Sequence, residues 1–217
     1  MKLIASFLIA AALVVPALSQ ANEPAKVAKA DAAKGEASFN GVCMACHGAG
    51  GNSSTPAYPK LAGQHADYIV KQLQEFKSSK RPNAVMTGMA AALSDDDMKN
   101  IGAYLAAQKP STGVAKDATT VALGERIYRG GIAERQVPAC AGCHAPNGVG
   151  IPAQYPRLAG QHADYTLAQL TAFREYANKG AGTPVVGRPN SAQMAGVTAK
   201  MNDRELKAVA DYIAGLR

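Results

Sequence analysis

The sequence predicts an all-α fold in two tandem domains, and three observations carry that reading. Apolar residues recur at helical spacing behind capping signals, no segment alternates as a half-buried strand does, and much of the first half returns 97 residues later. Composition agrees. Of 217 residues, 47% are apolar, 18% charged and 6% aromatic, with no tryptophan, which argues against a disordered tail, a fibrous repeat or a multi-span membrane protein.

The first 21 residues stand apart. Lys2 gives a positive start, Leu3 to Leu18 is almost unbroken apolar, and Ser19-Gln20-Ala21 supplies a small-x-small cleavage site. This reads as a cleaved secretory signal peptide over 1–21, the alternative being an uncleaved anchor. Its removal leaves 196 residues with a net charge of +6. Basic residues are interspersed with acidic ones and form no dense run, so nucleic acid is not an expected partner, whereas an acidic protein face is.

The first domain is expected over 22–112, its end marked by Lys109-Pro110-Ser111-Thr112-Gly113, and the second over 113–217. A short helix around Ala30 to Phe39 opens the first. A second, from about His65 to Lys77, buries Ile69, Leu73 and Phe76. The third starts at Ser94, with Asp97 completing a capping box and Leu93 stapled to Met98; Ile101, Tyr104 and Leu105 continue its apolar face. In the second copy Asn202 and Glu205 form the cap, Met201 staples to Leu206, and Val209, Tyr212 and Ile213 follow.

The repeat is close. Tyr58-Pro59-Lys60-Leu61-Ala62-Gly63-Gln64-His65-Ala66-Asp67-Tyr68 returns as Tyr155-Pro156-Arg157-Leu158-Ala159-Gly160-Gln161-His162-Ala163-Asp164-Tyr165. Upstream, Gly35 and Phe39 pair with Gly124 and Tyr128 if about eight residues enter around Gly130 to Val137. Towards the end of each copy the offset grows to 108, which places a further insertion near Gly180 to Arg188.

All four cysteines lie in two copies of one pattern, Cys43-Met44-Ala45-Cys46-His47 and Cys140-Ala141-Gly142-Cys143-His144. A disulfide, a thioredoxin-like pair or a zinc ribbon leaves the histidine after each second cysteine unexplained. The ribbon also needs its pairs closer than the 93 residues found between them. Covalent haem attachment explains both cysteines and the histidine: two thiols add to the vinyl groups of one porphyrin and the adjacent imidazole becomes the proximal iron ligand. Two covalent haem c groups follow, one per domain. Domains of about 90–105 residues bury modest cores, so each porphyrin would form much of the core it sits in.

His47 and His144 fill one axial position each. Of the methionines, only Met86 and Met194 face each other in the repeat, which makes them the candidates for the other position, against the alternative of flexible core filler. His65 and His162 are also paired, so bis-histidine ligation stays open by counting; a surface or outer-sphere role suits their place at a helix start. Tyr68, Tyr165, Gln64, Gln161, Arg81 and Arg188 fit haem-propionate contacts and helix packing equally well.

The two Cys-x-x-Cys-His sites, the two Pro-x-Leu-Ala-Gly-Gln-x-x-x-Tyr segments with Gln-Leu-x-x-Phe after each, and a methionine before each C-terminal helix resemble the dihaem cytochrome c4 family over nearly the whole mature chain. The resemblance implies two class I cytochrome c domains with His47/Met86 and His144/Met194 ligation and no iron ligand at His65 or His162. It also implies a monomeric periplasmic electron carrier, peripherally associated with the membrane, between a quinol-oxidising complex and a terminal oxidase. Two rivals are a dihaem subunit held by a flavoprotein dehydrogenase and a dihaem peroxidase. The peroxidase needs an openable iron and a distal acid–base group, for which the four histidines are used or poorly placed.

Overall fold

Asp31 opens the first helix by accepting the N–H groups of Ala33 (3.0 Å) and Lys34 (3.2 Å). The computed structural model describes residues 29–179 and 187–217; the leader expected over 1–21 and most of the insertion expected near 180–188 lie outside the described residues. In the first half, α1 (Ala32–Ser38) passes through a wide turn at Phe39–Cys43 into α2 (Met44–His47). Then come α3 (Ala66–Lys77), α4 (Ala84–Ala91) and α5 (Asp95–Ala106). The second half runs α6 (Val121–Gly130), α7 (Ala141–His144), α8 (Ala163–Lys179), α9 (Ala192–Thr198) and α10 (Asp203–Gly215). Among the described residues there is no strand, only isolated bridges at Ile132–Val137 and Ile151–Tyr155.

The sequence repeat is a packing repeat. Helix α1 crosses α5, and α3 lies on α5 and α4; likewise α6 crosses α10, and α8 lies on α10 and α9. Both crossings are made at a glycine. A Cβ on Gly35 would stand 1.9 Å from the Asn100 carbonyl oxygen, and one on Gly124 would stand 2.2 Å from that of Ala208. One turn later Phe39 and Tyr128 are fully buried. The eight extra residues of the second copy form the turn closed by the Ile132–Val137 bridge, where the offset places them.

Both expected capping boxes form. Ser94 and Asp97 exchange backbone hydrogen bonds at the start of α5, as do Asn202 and Glu205 at the start of α10. Burial works against the Glu205 carboxylate, but the Arg135 guanidinium and the Asn202 N–H outweigh it and hold its pKa below the usual carboxylate value. The folded-state pKa being depressed, this stabilisation is present above the unfolded-state pKa and lost as pH falls through the folded one. Asn202→Ala is expected to cost about 1 kcal/mol by chemical denaturation at neutral pH.

A short helix that the sequence reading did not include precedes the C-terminal helix of each half. Asn83 and Ser191, each close behind a proline, accept the N–H groups of Met86 (2.9 Å) and Met194 (3.3 Å) and so begin α4 and α9 in alanine-containing stretches. Met86 and Met194 therefore occupy the same position, the third residue of matching helices.

The two halves meet through reciprocal polar bonds, as in a contact between two like surfaces. His65 Nε2 lies 3.0 Å from the Val149 carbonyl, and His162 Nε2 lies 2.9 Å from that of Ser53. Arg81 donates to the Tyr165 hydroxyl (2.9 Å) and to Gln169 Oε1 (2.7 Å), while Arg188 donates to the Tyr68 hydroxyl (3.2 Å) and Gln72 Oε1 (2.8 Å). Each guanidinium also stacks 4.5 Å over a phenylalanine of its own half, Phe76 or Phe173. The paired histidines, tyrosines and arginines thus bond between the halves, a role the sequence did not assign to them. Among the described residues no helix is long and apolar enough to cross a membrane.

Candidate haem-attachment sites

The wide turn Phe39–Cys43 and the single-turn helix α2 put both cysteines and the histidine of the first motif on one short segment. Cys140 and α7 do the same in the second half. Cys43 and Cys140 are half-buried, whereas Cys46 and Cys143 are exposed, and none of the four is in a disulfide. Burial pushes the Cys140 thiol up to about 11 and raises Cys43 as well. Neutral thiols do not suit a thioredoxin-like reductant, whose attacking cysteine has a lowered pKa. Among the described residues no three His, Cys, Asp or Glu side chains converge as a zinc site needs.

The histidine geometry points elsewhere. His47 is 8% exposed and His144 5%, and burial lowers the pKa of both rings. In each, Nδ1 lies 3.0 Å from a carbonyl oxygen twelve residues on, Pro59 for His47 and Pro156 for His144. A carbonyl only accepts, so Nδ1 carries the proton and Nε2 is left with a free lone pair, the arrangement of a metal-ligating imidazole. Tyr58 and Tyr155 stand edge-on to the rings, with centroids 6.4 and 5.9 Å away. The residues present therefore fit a covalently held haem: paired thiols for its vinyl groups and a neutral, oriented imidazole for its iron.

Sequence reasoning assigned no role to Pro59 and Pro156. Their signal was present, a proline twelve residues after the histidine in both copies, but a backbone carbonyl carries no residue-type signature.

The methionines separate by burial. Met98 and Met201 are core residues at 0% and 4% exposure, and Met44 and Met89 are exposed. Met86 and Met194 lie between these extremes, each held by the capping bond at the start of its helix.

A model of the cytochrome c family matches residues 32–109 and again 121–217. The chain is 46% identical over 190 residues to cytochrome c4 of Pseudomonas aeruginosa, covering 87% of this chain and 90% of that protein. It is 36% identical over 178 residues to a thiosulfate dehydrogenase electron acceptor of Stutzerimonas stutzeri, covering 81% and 79% respectively. The crystal structure of reduced recombinant cytochrome c4 from Pseudomonas stutzeri superposes with a TM-score of 0.75 at 44% identity, covering 87% of this chain and all of that one.

Proposed function

The chain belongs to the dihaem cytochrome c4 family, and from that membership we propose a periplasmic carrier that takes single electrons from the quinol-oxidising side of a respiratory chain to a terminal oxidase. Its domains span 22–112 and 113–217 behind a cleaved leader. It acts as a monomer, associates peripherally with the membrane and is not an enzyme. Cys43 and Cys46 hold one haem and Cys140 and Cys143 the other. His47 and Met86 ligate the first iron, and His144 and Met194 the second.

The observation that carries this reading is the pair of buried imidazoles, each with Nδ1 committed to a proline carbonyl and Nε2 free. A haem iron held by His47 and Met86, or by His144 and Met194, would supply one-electron exchange and would leave no place for oxygen or peroxide to bind. The protein's residues do the rest. Pro59 and Pro156 fix the tautomer and ring orientation, Asn83 and Ser191 fix the turns that carry the methionines, and a thioether ligand raises the reduction potential relative to harder donors.

Charge sets the partner. Four ionised propionates and two ferric charges take the mature +6 to about +4, and full reduction takes it to about +2. The carrier should dock on an acidic patch. Its second-order rate of electron delivery to an oxidase is expected to fall steeply between about 10 mM and 150 mM salt, as the screening length shrinks from roughly 30 Å to 8 Å. A rate indifferent to salt would count against this docking mode.

A second reading, a cytochrome held by a dehydrogenase, is favoured by the likeness to the thiosulfate dehydrogenase electron acceptor. Purification from its own cells as a stoichiometric complex with a dehydrogenase would select it over the free carrier.

A further inference from the structure

Two glutamines tie each half to the other at one particular peptide. Gln64 of the first half accepts the Arg157 N–H through Oε1 (2.9 Å) and donates through Nε2 to the Arg157 carbonyl (2.9 Å). Gln161 repeats this in reverse, accepting the Lys60 N–H (3.0 Å) and donating to the Lys60 carbonyl (2.9 Å). Arg157 directly follows Pro156 and Lys60 directly follows Pro59, the two residues whose carbonyls lie 3.0 Å from the histidine Nδ1 atoms. Arg157 N–H belongs to the same peptide unit as the Pro156 carbonyl, and Lys60 N–H to that of Pro59. Each glutamine therefore grips the very amide plane that orients a histidine of the opposite half.

The grip is built to hold. Gln64 is 7% exposed, and each glutamine's Oε1 also accepts the N–H of its own next residue, His65 or His162, at 3.0 Å, which fixes the side chain. Peptide groups are rigid and polarised along N–H to C=O, so a bond accepted from the N–H strengthens the carbonyl on the same unit as an acceptor. A stronger acceptor at Nδ1 makes the imidazole a more basic ligand.

We infer that Gln64 and Gln161 are crosswise positioning residues: Gln64 sets the histidine ligand of the second half through the Pro156–Arg157 peptide, and Gln161 sets that of the first half through the Pro59–Lys60 peptide. The interface is then a route by which each half adjusts the other's iron. The inference rests on His47 and His144 being the iron ligands proposed above.

The test uses the full holoprotein with Gln64→Ala and Gln161→Ala, and with Gln64→Glu and Gln161→Glu, which put an anionic acceptor on the N–H and lose the donor. Midpoint potentials are read by spectroelectrochemical titration. Paramagnetically shifted proton resonances are read in parallel and assigned to each half with Met86→Ala and Met194→Ala. Weakening the peptide makes the opposite histidine less basic, which favours ferrous iron and raises the potential. Gln161→Ala is expected to shift the His47 resonances and raise the first half's potential, and Gln64→Ala to do so for His144 and the second half. An effect of about threefold to tenfold in the one-electron equilibrium is expected, tenfold being 59 mV. The glutamate variants, with a charged and stronger acceptor on the same N–H, should shift the opposite half's potential the other way, downwards. Shifts confined to the variant's own half, equal shifts in both halves, or none, overturn the inference. Absence of the His47 and His144 rings from the shifted set overturns the ligation on which it rests; their presence without a crossed effect overturns the glutamine role alone.

Discussion

Met86→Ala and Met194→Ala are each expected to remove half of the weak far-red methionine–iron band of the oxidised protein, and the double variant all of it. The band reports sulfur bound to iron, so its loss tracks ligation and not folding. A haem held there would keep its histidine and its cysteine attachments and would gain an exchangeable position, and its potential should fall with the loss of the methionine sulfur, which favours the ferrous state. The other methionines provide the contrast. Met98 is fully buried at the start of α5, and Met98→Ala should cost about 2–5 kcal/mol by denaturation while leaving the band at full strength. Met44 and Met89 are exposed, and their replacement should alter neither quantity. A band unchanged in Met86→Ala or in Met194→Ala would remove that residue from the iron.

Gly35→Ala and Gly124→Ala are expected to destabilise the protein by about 3 kcal/mol each, the upper part of the range for overpacking a close contact. The added methyl carbon would stand 1.9 Å from the Asn100 carbonyl oxygen in one case and 2.2 Å from that of Ala208 in the other. These neighbours are backbone atoms in the middle of α5 and α10, so no side chain can swing away; the crossing helices must separate. Parting α1 from α5 also moves Phe39, fully buried one turn beyond Gly35 and leading straight into the Cys43 turn. Gly130 near the end of α6 has nothing within 4 Å of a built Cβ, so Gly130→Ala should be neutral or slightly stabilising. Denaturation midpoints of the three variants check this; equal effects at Gly35 and Gly130 would contradict the close-crossing account.

Much of the architecture was legible because duplication turns one sequence into two readings of the same fold. The repeat paired Gly35 with Gly124, and the structure adds what the pairing alone did not say, that each glycine lets its helix cross a neighbour at a backbone carbonyl, Asn100 or Ala208. The capping boxes at Ser94 and Asn202 were readable because a cap is local: side chain and backbone partner are three residues apart. Helices α4 and α9 escaped notice because each is a short run with a weak apolar stripe, begun by one capping side chain after a proline. The interface escaped for a different reason. Gln64, Gln161, His65 and His162 were visible as repeated polar residues, but repetition says that a residue is retained in both copies and not that copy one bonds copy two. Their partners are mostly backbone groups 84 to 109 residues away, which leave no mark on the sequence.

Counting the porphyrins bonded to one chain is the most direct trial of the proposed function. Haem is quantified as its pyridine adduct against protein concentration, before and after extraction with acidified acetone. Two haems per chain that stay with the protein through extraction are the expected result. One haem, none, or haem that passes into the solvent would contradict attachment through Cys43, Cys46, Cys140 and Cys143.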